Sequence, residues 1–143
     1  MAAKREPVAI STTVGDAIST AFGIIEDLAT EMRDAYDNTP ESLQSSGVGE
    51  ARGEAADALE GISEVDDVPE QFAELKVTFY ALPLKSKASR RDRMADGLRY
   101  AEEAITALEA YEGADEDGKD GLITDIQSMI DEAEAVEFPG MFG

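Results

Sequence analysis

Apolar residues along most of the chain recur every three or four positions, the spacing of one face of an α-helix. In the first such stretch these positions are Val14, Ile18, Ala21, Phe22, Ile25, Leu28, Met32 and Tyr36. Thr13 precedes the stretch and is followed three residues later by Asp16, a spacing typical of a helix N-cap. The pattern predicts a helix over residues 13–37.

Four later segments repeat this spacing and predict helices over residues 48–63, 68–82, 89–112 and 119–137. The third carries a competing signal, because Val77, Thr78, Phe79 and Tyr80 are β-branched or aromatic residues typical of a strand. Four to five amphipathic helices joined by short links predict an all-α, up-and-down helical bundle.

The expected organisation is a flexible N-terminal lead-in over residues 1–11, one helical domain over residues 12–137 and an apolar C-terminal tail over residues 138–143. Phe138, Met141 and Phe142 flank a Pro-Gly pair in this tail, which is too short for a helix. We expect the tail to dock, either in its own bundle or in a groove of another subunit or partner.

The amino-acid composition excludes several common kinds of active site. The 143 residues contain 32 acidic and 12 basic side chains, for a net charge of −20, and no His, Cys or Trp. A catalytic histidine, a thiolate nucleophile and a Cys/His zinc site are therefore excluded. Carboxylate pairs such as Glu50 and Glu54 are expected by chance in so acidic a chain. We predict a protein that is not an enzyme and holds no cofactor.

The acidic, Gly-containing segment over residues 113–121 is a candidate calcium-binding loop. The EF-hand pattern needs oxygen ligands at loop positions 1, 3, 5 and 12 and glycine at position 6. With Gly121 at position 6, position 3 is Gly118 and position 12 is Gln127. No register fits, so we predict no metal site and expect these acids to favour the N-terminus of the next helix.

One segment opposes the overall charge. A basic cluster of five residues carries +4 against Asp92, while the rest of the chain carries −24; its members are Lys85, Lys87, Arg90, Arg91 and Arg93. Cations at a helix N-terminus oppose the helix dipole, so this placement needs a cause. The leading interpretation is internal pairing with carboxylates. The alternatives are a phosphate or nucleic-acid contact, or a contact to an acidic partner or second subunit.

The acids concentrate in residues 50–74 and 112–137. The acidic candidates for partner binding are Glu50, Glu54, Asp57, Glu60, Glu64, Asp66, Asp67, Asp115, Glu116, Asp117 and Asp120. Carboxylates displayed along regular helices can imitate the phosphate rows of DNA, as acidic DNA-mimic inhibitors do, although a solvated helix face explains the same charges more simply.

The function predicted from these observations is an acidic helical interaction protein that engages a basic protein surface, as a DNA-mimic-like inhibitor or an assembly component. An accessory protein of a phage, virus or mobile element fits this description. The alternative is a nucleic-acid or phosphate contact module using the basic cluster, and a homo-oligomer stays open. No run of about 18 apolar residues and no apolar leader is present. We therefore expect a cytoplasmic protein, in the host cytoplasm if viral, that is neither secreted nor membrane-bound.

Overall fold

A computed structural model describes residues 6–65, 68–85, 87–113 and 115–138, with Glu116 described by its backbone alone. These residues are mostly helical and include one antiparallel sheet of two strands. The elements in chain order are β1 (Val8–Thr13), α1 (Val14–Asp37), α2 (Glu41–Gln44), α3 (Gly47–Glu60), α4 (Glu70–Ala73), β2 (Lys76–Ala81), α5 (Arg90–Ala110) and α6 (Glu116–Glu134).

The first predicted helix is confirmed as α1. Its N-cap is Thr13, whose side-chain oxygen accepts a hydrogen bond from the Asp16 backbone N–H at 3.2 Å. The apolar stripe identified in the sequence is the buried face and includes Val14, Ile18, Ala21, Ile25, Leu28 and Met32. The three- and four-residue spacing therefore reports a face that packs against other elements.

The helices predicted over residues 48–63, 89–112 and 119–137 correspond to α3, α5 and α6, with ends shifted by up to three residues. Helix α6 begins earlier than predicted because Asp115 is its N-cap. The Asp115 carboxylate accepts from the Gly118 N–H at 3.1 Å, and its backbone takes the left-handed conformation with φ of 68°. Aspartate tolerates this conformation better than most residues.

The helix predicted over residues 68–82 is wrong. Only Glu70–Ala73 is helical, and Lys76–Ala81 forms strand β2. Burial alternates along the strand, with Val77 and Phe79 inside and Tyr80 outside. This period of two suits β-branched and aromatic residues once a second strand is available to pair with them.

The second strand lies in the segment that we assigned to a flexible lead-in, and that assignment is corrected for residues 8–11. Strand β1 pairs with β2 in antiparallel register, with Ile10 opposite Phe79 and Thr12 opposite Val77. The pairing joins residues far apart in sequence, so periodicity within β1 alone does not reveal it. The described chain is therefore a helical protein with a small sheet.

Helix α1 packs against both α3 and α5, and α5 also packs against α6 and β2. Two edge-to-face aromatic pairs add to the packing, each with ring centroids 5.3 Å apart. Phe72 of α4 contacts Tyr111 just after α5, and Phe79 of β2 contacts Tyr100 of α5. None of the helices in the described ranges is both long enough and apolar enough to cross a membrane.

Candidate interaction surfaces

Two residues of the basic cluster form ion pairs with a carboxylate of the same chain. Arg90 and Arg93 lie in the first turn of α5, and both donate to the carboxylate of Glu31 on α1. The Arg93 Nη1 to Glu31 Oε2 distance is 2.7 Å, and the Arg90 Nε to Glu31 Oε1 distance is 3.3 Å. This geometry supports internal pairing as the role of these two arginines.

The ion pairs shift the titration of the residues that form them. The hydrogen bond from Arg93 lowers the pKa of the Glu31 carboxyl, although partial burial acts in the opposite direction. The same hydrogen bond raises the pKa of Arg93. A carboxylate from α1 thus stabilises two cations that the α5 dipole alone would disfavour.

The other three members of the basic cluster, Lys85, Lys87 and Arg91, are exposed. The structure therefore divides the cluster into an internal pair and three solvent-facing cations. Sequence proximity alone suggested one patch, because it does not show which side chains face a neighbouring helix.

A first prediction follows from the Glu31 pKa. We expect Glu31→Gln to lower the free energy of unfolding at neutral pH and low salt by about 1 kcal/mol, a value reduced for partial solvent exposure. A carboxyl whose folded pKa is lowered stabilises the protein above its unfolded pKa, and this contribution is lost as the pH falls through the folded value. Urea unfolding of both proteins between neutral pH and pH about 3 measures the difference. A gap that persists unchanged in acid would contradict the ion-pair explanation.

Arg33 forms a second internal charge network that sequence reasoning missed. Its Nη2 lies 2.6 Å from Asp57 Oδ1 and 2.7 Å from Glu60 Oε1, and the guanidinium lies 5.8 Å from the Tyr36 ring centroid. The hydrogen bond from Arg33 lowers the pKa of Glu60. Two of the acidic candidates, Asp57 and Glu60, therefore share one cation of α1. The available signal was a lone arginine on the polar face of that helix.

Carboxylates from both acidic segments line two grooves. One groove, of about 310 Å³, is lined by Glu64 and, from α6, by Asp125 and Glu132. The other, of about 280 Å³, is lined by Glu54 of α3 and by Glu137 in the segment after α6. We call these five residues the acidic seam. The fold brings together charges that the sequence separates by about seventy positions.

The cations of the two helices beside the acidic seam are bound elsewhere. Arg52 of α3 donates to Thr39 Oγ1 at 2.9 Å, and Lys119 of α6 donates to the Tyr111 carbonyl at 3.2 Å. Neither side chain is among the described residues that line the two grooves. Along these grooves the described charged side chains are therefore all acidic.

The remaining acidic candidates have separate places. Glu50 lines a groove with Arg33, and Asp115 caps α6. Asp117 and Asp120 are exposed in the first turns of α6. Asp66, Asp67 and the side chain of Glu116 lie outside the described residues.

A groove of about 900 Å³ lies between the end of β2, helix α5 and the segment after α6. We call it the apolar groove. Tyr80, Leu82 and Leu84 line one side, and Leu98 and Phe138 are among the buried residues on the other. Of the tail candidates, Phe138 is buried, whereas Met141 and Phe142 lie outside the described residues.

Within the described residues, no three Asp or Glu side chains converge as ligands for a metal ion. Comparison with protein-family models, curated protein sequences and solved structures finds no match to this chain. The features that bear on function are therefore the acidic seam and the apolar groove.

Proposed function

We propose that this protein is a non-enzymatic interaction protein that binds a basic protein surface through the acidic seam. The observation that supports this proposal is that carboxylates from two distant segments meet in two grooves whose described charged residues are all acidic. The overall charge of −20 reinforces the local field.

A surface that carries charge of one sign attracts partners of opposite charge and repels partners of the same charge. Carboxylates spaced along helices favour the lysine- and arginine-rich surfaces that otherwise contact DNA phosphates. The proposed setting is an accessory protein of a phage, virus or mobile element that acts in a cytoplasm, either as a DNA-mimic-like inhibitor or within an assembly.

A variant that removes four of the five carboxylates of the acidic seam, and keeps Glu137 because it also lines the apolar groove, tests this proposal. Combining Glu54→Gln, Glu64→Gln, Asp125→Asn and Glu132→Gln is expected to reduce capture of basic DNA-handling proteins at least about tenfold, since several charge pairs are lost together. The immobilised protein is incubated with nuclease-treated host lysate at low and moderate salt. Bound proteins are identified by mass spectrometry and challenged with added duplex DNA.

The matched control removes the same charge from exposed positions elsewhere, using Glu26→Gln, Asp37→Asn, Glu109→Gln and Glu112→Gln. Capture that survives in this control, fails in the seam variant and is displaced by duplex DNA supports the proposal. Equal loss in both variants would show that only net charge matters, which contradicts a defined seam.

A second candidate function, contact with nucleic acid or phosphate, is favoured by the exposure of Lys85, Lys87 and Arg91. The same capture without nuclease distinguishes the two. Recovery of nucleic acid that disappears when these three residues become alanine would assign function to the basic cluster and overturn the leading proposal.

A further inference from the structure

The apolar groove exposes large hydrophobic side chains to water. Tyr80 is 69% exposed, Leu82 49% and Leu84 43%, and all three line the groove at alternate positions where β2 ends and the next segment begins. Single exposed apolar residues are common, but a row of three beside a groove of about 900 Å³ is typical of a docking surface.

The rim of the apolar groove is predominantly acidic. Its described acidic residues are Asp92, Asp96, Glu102, Glu134 and Glu137, and its described basic residues are Arg91 and Arg99. Arg99 is already engaged, because its Nε lies 2.8 Å from Glu103 Oε2 and its guanidinium lies 5.1 Å from the Phe79 ring centroid. An occupant with an apolar face and flanking cations therefore complements this groove in both shape and charge.

Asp96 adds a specific position for a cation. Its carboxyl is partly buried in the groove wall, and desolvation raises its pKa. A raised carboxyl pKa means that the charged form is less stable in the protein than in water. A lysine or arginine of a bound partner would stabilise the charged form and so reverse that effect.

Two other occupants fit the groove less well. A second copy of the chain would bring another charge of −20 and another acidic rim against the first. An added strand would meet the Arg99 side chain at the end of β2, where its Nη2 donates to the Tyr80 carbonyl at 3.4 Å and its guanidinium lies over the Phe79 ring. The groove also adjoins the acidic seam, since Glu137 lines both.

We propose that the apolar groove binds an amphipathic, cationic helix of a protein partner, with its apolar face on Tyr80, Leu82 and Leu84 and its cations on the acidic rim. This inference rests on the proposed function in taking the partner to be basic, but it assigns a different surface. A helix in a groove presents apolar anchors three and four residues apart, with polar residues on its flanks.

The probe is a fluorescein-labelled peptide of about 18 leucines and lysines in the spacing of an amphipathic helix. A scrambled peptide of the same composition controls for charge alone. We expect fluorescence anisotropy to show binding of the patterned peptide at least about tenfold tighter than the scrambled one, because only the patterned peptide buries a continuous apolar face.

The groove variant combines Leu82→Ser and Leu84→Ser and is expected to lose that tenfold preference. The matched control combines Leu43→Ser and Val48→Ser, which are equally exposed but lie outside the groove. A second variant, Asp96→Asn, is expected to weaken the patterned peptide several-fold. It leaves the apolar wall intact, and removing a partly desolvated carboxylate does not lower stability at neutral pH.

Four outcomes would overturn the inference. The first two are equal binding of both peptides and unchanged binding by the groove variant. The third is a large gain in affinity when residues 139–143 are removed, which would identify the chain's own tail as the occupant. The fourth is self-association that the groove variant abolishes, which would identify a second copy. The seam variant leaves the lining of the apolar groove unchanged and is expected to keep the preference for the patterned peptide. A failure of the proposed function therefore leaves the peptide result unchanged, and the two failures are distinguishable.

Discussion

Replacing Phe72 with alanine is expected to lower the free energy of unfolding by about 3–5 kcal/mol, the cost of removing a large buried aromatic ring. Phe72 is fully buried and packs edge-on against Tyr111. It lies in α4, where the chain passes from the helical part to strand β2. Loss of the ring therefore leaves a cavity and also loosens the connection to the sheet.

Urea unfolding followed by circular dichroism measures this effect. Phe72→Leu serves as the conservative control, because it retains much of the buried volume and is expected to cost clearly less. Tyr80→Ala removes an aromatic ring from an exposed position and is expected to change stability by no more than about 0.5 kcal/mol. A loss below about 1 kcal/mol for Phe72→Ala would contradict the assignment of this ring to the core.

Gly97→Leu is expected to lower the free energy of unfolding by about 2–3 kcal/mol through overpacking between α1 and α5. A Cβ atom at Gly97 would lie 2.9 Å from Ile24 Cδ1 and 3.1 Å from Ile24 Cβ. A leucine side chain built on this Cβ requires Ile24 to move or the two helices to separate. Since the same helices hold Glu31 against Arg93, separation would also strain that ion pair.

The chain offers a matched control for Gly97→Leu. Gly23 lies in α1, and a Cβ there would meet nothing within 4 Å. Gly23→Leu is therefore expected to be neutral or to stabilise the helix by up to about 1 kcal/mol. Adding Ile24→Ala to Gly97→Leu is expected to recover part of the loss. If the double variant were no more stable than Gly97→Leu, the contact with Ile24 would not be the cause.

The residues of the candidate surfaces were only partly recognisable in the sequence. The basic cluster was visible as a charge run, but its partner Glu31 lies about sixty positions away on another helix. The role of Arg33 was missed for the same reason, because its carboxylate partners are on α3. Charge counts measure how many ions are present, whereas pairing depends on which helix faces meet.

The apolar groove was not predictable from periodicity. Its wall depends on Lys76–Ala81 being a strand, whereas the apolar spacing of residues 68–82 also fitted a helix. Phe72 and Phe79 suit both periods. Pairing with β1 favours the strand over the helix, because a strand forms its backbone hydrogen bonds with a neighbouring strand and not within its own segment.

The amino-acid sequence by itself determined the long helices, the cap of α1 at Thr13, the strong negative charge and the absence of histidine and cysteine chemistry. These features depend on residues within about four positions of one another, or on composition alone. The tertiary structure decided the β1–β2 sheet, the internal pairing of Arg90 and Arg93, the acidic seam and the apolar groove. Each of these requires side chains from distant segments to meet, and only packing of the hydrophobic core sets which faces oppose each other.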